Sequence, residues 1–231
     1  MSSAESPSRP ALPMSSALCL LILIVLIEIG GGCLFSHFLP KAGDREALWV
    51  TALLRLLDFC LILFFACQSG QGISAIGIRP TEWLKGIIKG LEWSFGFGLI
   101  VLLTWAVVFF AFHINLLQFL ISSSTPAHFW LIMAIGGIFA PIVEDSFFVG
   151  CLYNSLRRKL SPLWSILGIS ILFALLHSVR GIPVTQLIGG LLFTLAFEYS
   201  ANLLTPISIH ILANCTLFTL AYSAWIKGIL R

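Results

Sequence analysis

Charge is what this sequence has least of. Asp, Glu, Lys and Arg together make up only 10% of its 231 residues, against roughly 25% in ordinary soluble domains. Hydrophobic residues make up 58% of the chain, and the mean hydropathy is +1.02. A soluble protein of this size has no interior large enough for so much apolar surface, whereas a lipid bilayer accommodates it. The composition therefore predicts an all-α, polytopic protein embedded in the bilayer.

The sequence also lacks closely spaced cysteine pairs and long basic runs. Its six cysteines are scattered through apolar segments, so we interpret them as small buried hydrophobic side chains rather than as disulfide partners or zinc ligands. The formal net charge is only +3, and the basic residues lie mostly in short loops, as is typical of membrane proteins. No nucleic-acid partner is predicted.

The chain divides into a tail and two groups of apolar segments. Residues 1–13 are rich in Ser and Pro and are predicted to be a disordered polar tail, 14–122 to hold the N-terminal spans, and 129–222 to form a C-terminal core that holds the candidate functional residues. The predicted spans are 14–35, 47–67, 91–112, 129–154, 162–177, 184–199 and 206–225. Residues 114–120 are too short to span, so about seven transmembrane helices are expected, with eight as the alternative.

The first apolar segment has a signal peptide as its alternative interpretation. It is longer than the 7–15 apolar residues of a typical signal sequence, and no clean cleavage site of small residues follows it. A retained helix is therefore predicted.

Two adjacent acids, Glu144 and Asp145, stand inside the fourth predicted span. An ionised carboxylate at the centre of a bilayer costs about 2.5–3.5 kcal/mol on insertion scales, so an acid in this position is a functional candidate that usually faces a cavity and a partner. The pair is the strongest functional signal in the chain.

Three polar side chains on later spans are candidate partners of the acids. His177 follows Phe173 by four residues, and Asn214 follows His210 by four, so the members of each pair lie on one helical face. Histidine titrates close to neutrality and can pass protons beside a carboxylate. An amide can donate to a developing oxyanion.

Other polar residues in the apolar segments receive structural interpretations. Arg55 and Asp58 are three residues apart in the second span, which favours a structural ion pair. Glu198 precedes a polar turn and is predicted to be solvated.

The acids, the histidines and the amide together suggest hydrolysis. A carboxylate beside a histidine can activate water for attack on a peptide carbonyl, while a second histidine and the amide polarise the oxyanion. A metal bound by Glu144, His177 and His210 is the alternative, although the spacing is not that of a His-Glu-x-x-His zinc helix. We favour a site without a metal or other cofactor.

The order of these motifs resembles that of the CPBP (ABI) family, which includes the CAAX-type prenyl endopeptidases and bacteriocin-processing or immunity membrane proteins. The resemblance covers roughly 129–220 and includes Gly189, Gly190 and the approach to His210. It implies that Glu144 is the water-activating base of a glutamic-type intramembrane protease. It implies further that His177 and His210 assist this base and that Asn214 helps to form the oxyanion site.

The resemblance also implies a substrate and a location. The expected partner is a membrane-anchored peptide or protein, either a prenylated CAAX-like C-terminus or a hydrophobic sorting or leader segment. The expected location is a multi-pass position in a bacterial inner membrane or an equivalent bilayer. One sequence does not predict an oligomeric state.

Two departures from the family pattern bear on activity. The first motif is usually Glu-Glu-x-x-x-Arg, whereas here the second acid is Asp145 and Val149 stands at the arginine position. We hypothesise that Arg180 supplies the missing charge from another helix. The alternatives are a non-catalytic binding or immunity protein with the same fold, and a transporter in which the acids and histidines relay protons.

The predicted spans place the two histidines at different depths. At 1.5 Å per residue, His177 lies about 22 Å along a helix that starts at Pro162, and His210 lies about 6 Å into one that starts at Pro206. Both helices enter from the same side. The histidines can meet only if the fifth helix tilts or starts outside the bilayer, or if 200–209 dips inward.

Overall fold

The computed structural model of the protein describes residues 9–114, 128–177 and 183–226. The regular structure within these ranges consists of helices, without a strand. The all-α class predicted from the composition is therefore confirmed. Residues 115–120, whose role as a possible eighth segment was left open, lie outside the described ranges.

Seven helices make up the described fold. They are α1 (Met14–Phe38), α2 (Asp44–Gln68), α3 (Trp83–Phe112), α4 (Phe129–Leu156), α5 (Pro162–Leu176), α6 (Val184–Ser200) and α7 (Leu204–Ile226). Two short 3₁₀ turns, Gly72–Ile76 and Pro80–Glu82, connect α2 to α3.

Five of these helices, α1 to α4 and α7, are long and apolar enough to cross a bilayer. The other two are shorter, with 15 residues in α5 and 17 in α6, against the roughly 20 that a membrane-crossing helix needs. The protein is thus an integral membrane protein in which two predicted spans are shorter than a full crossing.

The third helix begins eight residues before the predicted start at Leu91, because its charges lie on one face. Lys85 is exposed, whereas Gly86 and Gly90 are buried. The charged residues therefore do not end the helix, and the residues just before Leu91, which no predicted span included, form the first two turns of α3.

Gly86 and Gly90 allow α3 to pack closely against the start of α7. A Cβ atom at Gly86 would lie 2.7 Å from the Asn202 side chain, and one at Gly90 would lie 2.5 Å from Ser208 Cβ. Thr205 Oγ1 also donates to the Gly86 carbonyl at 3.1 Å. This is the small-xxx-small packing that brings helix backbones together in membranes.

Gly90→Ala is expected to destabilise the protein, because the added methyl group would lie 2.9 Å from the Thr205 carbonyl oxygen as well as against Ser208. Overpacking of this kind costs about 1–3 kcal/mol. Gly96→Ala is the matched control on the same helix, since a Cβ there meets nothing within 4 Å. Thermal unfolding in detergent should show a lower midpoint for Gly90→Ala only. Equal midpoints in the two variants would contradict the close approach of α3 and α7.

Helix α4 is the most buried of the five long helices and is irregular around the acid pair. Two π-helical segments, Met133–Phe139 and Ser146–Tyr153, flank the regular turn Ala140–Asp145. Every residue of the second π segment is buried. Short π-helical segments inside α-helices are rare and occur frequently at functional sites.

The chain just before α1 is packed rather than disordered. Leu12 is 1% exposed, its carbonyl accepts from Ser155 Oγ at 2.9 Å, and the Pro10 carbonyl accepts from Asn154 Nδ2 at 2.6 Å. The polar tail predicted for 1–13 is therefore wrong for residues 9–13, and residues 1–8 lie outside the described ranges.

Glu198 belongs to a part-buried polar cluster rather than to solvent. Its carboxylate accepts from Arg9 at 2.8 Å, from Tyr153 Oη at 2.9 Å and from Arg157 Nε at 3.2 Å, and its side chain is only 16% exposed. The prediction that Glu198 is solvated was wrong, because Arg9 in the chain before α1 reaches the end of α6 and pairs with it.

The cysteines are unpaired, but most of them are not buried. Cys19, Cys33, Cys60 and Cys67 are exposed on α1 and α2, whereas Cys151 is buried. The expectation of burial was wrong for these four, because the outer faces of membrane helices are themselves apolar.

Candidate active site

Glu144 and Asp145 lie at the end of the regular turn of α4, immediately before the second π segment. The Glu144 side chain is 13% exposed and the Asp145 side chain 1%. Successive helical residues point in different directions. Glu144 accordingly faces His177 and Arg55, while Asp145 faces His210.

His177 directly follows the last residue of α5 and reaches Glu144. Its Nε2 atom lies 3.5 Å from Glu144 Oε1. Its Nδ1 atom lies 2.7 Å from the Phe173 carbonyl oxygen, and because a carbonyl only accepts, Nδ1 is the donor. The ring is thereby fixed with Nε2 directed at the acid, and the predicted pairing of Phe173 and His177 on one face is observed at a centroid distance of 4.3 Å.

His210 lies on α7 and contacts both acids. Its Nδ1 atom is 3.3 Å from Asp145 Oδ1, and its Nε2 atom is 4.0 Å from Glu144 Oε2. The ring stacks on Phe193 of α6 at a centroid distance of 4.3 Å. Asp145 and Phe193 together set the orientation of His210.

His177 and His210 both reach Glu144, and the turn between α6 and α7, which precedes His210, lies inside the protein. Asn202 and Leu203 are 3% and 0% exposed. The Leu203 amide donates to the Gly77 carbonyl at 3.0 Å, and Asn202 Nδ2 donates to the Glu82 carbonyl at 2.9 Å. The connector between α2 and α3 therefore covers the start of α7.

Asn214 lies one helical turn beyond His210 but has a different partner. Its Nδ2 atom donates to the Gly136 carbonyl in the first π segment of α4 at 2.9 Å. An asparagine amide has two N–H donors, and this bond uses one of them. The role of Asn214 at an oxyanion stays a prediction.

Arg55 is the residue at this site whose contact with the acid pair was missed from the sequence. The predicted pair with Asp58 is present, at 3.2 Å between Arg55 Nη1 and Asp58 Oδ2. Arg55 also reaches Glu28 Oε1 at 3.1 Å and, through Nη2, Glu144 Oε1 at 3.7 Å. One signal could have found it, since Arg55 is the only Lys or Arg inside the predicted spans. Arg180, the cation hypothesised for this role, lies outside the described residues.

Metal ligation was the alternative interpretation of Glu144, His177 and His210. Over the ranges that the structure describes, no group of three or more His, Cys, Asp and Glu side chains has an arrangement suited to a metal ion. A site without a metal stays a prediction, and the pairings observed are Nε2 of His177 with Glu144 and Nδ1 of His210 with Asp145.

The fold and the site define a helical membrane protein with a candidate hydrolytic centre. Residues 126–216 match the family model described as Rce1-like, type II CAAX prenyl endopeptidase. The match spans all five site residues predicted from the sequence and is consistent with the CPBP family, so the recognition is confirmed for this segment. It points to a protease. Neither a curated protein nor a solved structure matches the chain.

Proposed function

We propose that the protein is an intramembrane endopeptidase that hydrolyses a peptide bond of a membrane-held substrate, most directly a prenylated CAAX-type C-terminus. The observation that carries the proposal is the convergence of His177 and His210, from two different helices, on Glu144 at 3.5 and 4.0 Å. The Rce1-like match over the same segment supports the substrate class.

In the proposed reaction Glu144 is the general base. Its carboxylate takes one proton from a water molecule while the water oxygen bonds to the carbonyl carbon of the scissile peptide. The tetrahedral oxyanion then collapses, the C–N bond breaks, and the leaving nitrogen receives the proton that Glu144 accepted. The products are a new carboxyl group and a new amine, and no further reactant is consumed.

The remaining site residues have supporting roles in this proposal. His177 Nδ1 donates to the Phe173 carbonyl, so Nε2 is the atom that can share a proton with Glu144. His210, held by Asp145, faces the second Glu144 oxygen. The Asn214 N–H that is not bound to Gly136 is the proposed donor to the oxyanion.

Cleavage of a defined peptide tests the proposal. Purified protein in liposomes is incubated with a farnesylated peptide that ends in a CAAX sequence, and with the same peptide without the farnesyl group. Mass spectrometry should detect release of the C-terminal tripeptide from the farnesylated peptide, because the lipid holds it at the membrane. The release is expected to continue in the presence of EDTA.

The alternatives give different results in the same system. A hydrophobic leader peptide that is cleaved while the farnesylated peptide is not would contradict the CAAX assignment and keep the peptidase. If folded protein cleaves neither, the non-catalytic binding or immunity function is favoured. Uptake of a solute into the liposomes that depends on a proton gradient would instead indicate the transporter function.

A further inference from the structure

We propose that Arg55 is a positioning residue for Glu144 and takes the place of the arginine that the first motif lacks. The inference rests on the proposed function, because it concerns the same base. It is carried by a cluster of four charged side chains from α1, α2 and α4. The members are Glu28, Arg55, Asp58 and Glu144.

The two nitrogen atoms at the end of the Arg55 guanidinium have different partners. Nη1 contacts Glu28 and Asp58 at 3.1 and 3.2 Å, and Nη2 faces Glu144 at 3.7 Å. Because the guanidinium is a rigid planar fork, fixing one terminal nitrogen also fixes the direction of the other. Glu28 and Asp58 therefore aim Nη2 at the base.

The position of the cluster makes this contact stronger than a surface ion pair. The Arg55 side chain is 20% exposed and that of Asp58 only 1%, so the charges interact with little screening by water. Glu144 also has Asp145 as its neighbour in sequence, which places two acids side by side. A cation on the α2 side of Glu144 offsets that repulsion and restrains the carboxylate that must meet the water.

Val149 shows why the charge has to come from outside the first motif. This residue stands at the usual arginine position of the first motif but is 2% exposed and packs in the apolar core. It has no group that can pair with an acid. Arg55 brings the charge to the same acid pair from a different helix, so the departure from the motif does not leave the pair without a cation.

Replacing Arg55 separates positioning from a merely structural role. Arg55→Gln should lower kcat for the farnesylated peptide about 10²-fold, the cost of a misplaced catalytic group, while KM stays within about twofold because Arg55 is not proposed to touch the substrate. Arg55→Lys keeps the charge without the planar fork, so its kcat should be about tenfold higher than that of Arg55→Gln and still below that of the wild type. Arg79→Gln, which alters an exposed ion pair with Glu82, is the control and should match the wild type.

A triple variant keeps the test valid if Arg55→Gln alone does not fold. Glu28→Gln, Arg55→Gln and Asp58→Asn together remove the cation and its two other partners, so Glu144 is the only charge of the cluster that remains, and it still faces His177 and His210. This variant is expected to unfold near the wild-type temperature and still to show the low kcat. A triple variant with wild-type kcat would overturn the proposal, because Arg55 would then serve only to neutralise Glu28 and Asp58.

The remaining outcomes are distinct. If the wild type cleaves the peptide and Arg55→Gln has the same kcat, the inference is overturned and the proposed function stands. An equal loss in the Lys and Gln variants would also overturn it, provided that both fold. No cleavage by the wild type would overturn the proposed function and this inference together.

Discussion

Replacing Glu144 with Gln is expected to reduce turnover of the farnesylated peptide about 10²–10⁴-fold, the usual contribution of a general base. Gln has nearly the same shape as Glu, so the packing of α4 is kept. Its amide cannot accept the proton of the attacking water. The measurement is the rate of tripeptide release at saturating peptide, with the amount of folded protein matched by thermal unfolding.

Glu92→Gln is the matched control for this substitution. Glu92 is an exposed residue of α3, so the same chemical change there should leave the rate unaltered. Should Glu144→Gln cleave as fast as the wild type, the base is another residue and the proposed mechanism is wrong. A rate lowered equally by both substitutions would point to a general effect on the protein in its liposome.

The acid pair and the histidines could be predicted because each carries a local signal. Glu144 and Asp145 interrupt an apolar run, and His177 and His210 each belong to a pair at i and i+4 spacing. These patterns depend only on neighbouring residues in the chain. The structure brings all four together, as the family resemblance implied.

Contacts between distant segments could not be predicted in the same way. Arg55 was assigned to Asp58, three residues away, because sequence spacing reveals nothing of Glu144 on another helix. The link from Arg9 to Glu198 joins residues 189 apart. Such contacts depend on how helices pack, which apolar composition alone does not specify.

The irregular backbone was likewise hidden from pattern analysis. The π segments around the acid pair change the direction of the side chains of α4 relative to a regular helix, and no residue type marks them. The buried turn at Asn202 and Leu203, which precedes His210, was hidden in the same way. Ideal helices drawn from the predicted boundaries do not show that both histidines reach Glu144.

His177→Ala and His210→Ala are both expected to lose activity, about 10²-fold or more, but to differ in stability. The His177 side chain is 27% exposed at the end of α5, so its removal leaves a site that water can reach. His210 is the partner of Asp145 Oδ1, and Asp145 Oδ2 already has none. Removing one member of a buried ion pair costs about 3–5 kcal/mol because the other charge is left uncompensated. Thermal unfolding should therefore separate the two variants.

The double variant Asp145→Asn with His210→Ala identifies the source of that instability. The amide introduced in place of the Asp145 carboxylate would carry no charge to be left unpaired, so the unfolding temperature should recover much of the loss seen in His210→Ala. Turnover should stay low, because Glu144 would still lack the imidazole that faces its second oxygen. Recovery of stability without recovery of activity would assign Asp145 to holding His210 in place. If the double variant is no more stable than His210→Ala, the instability arises instead from the lost stacking of His210 on Phe193.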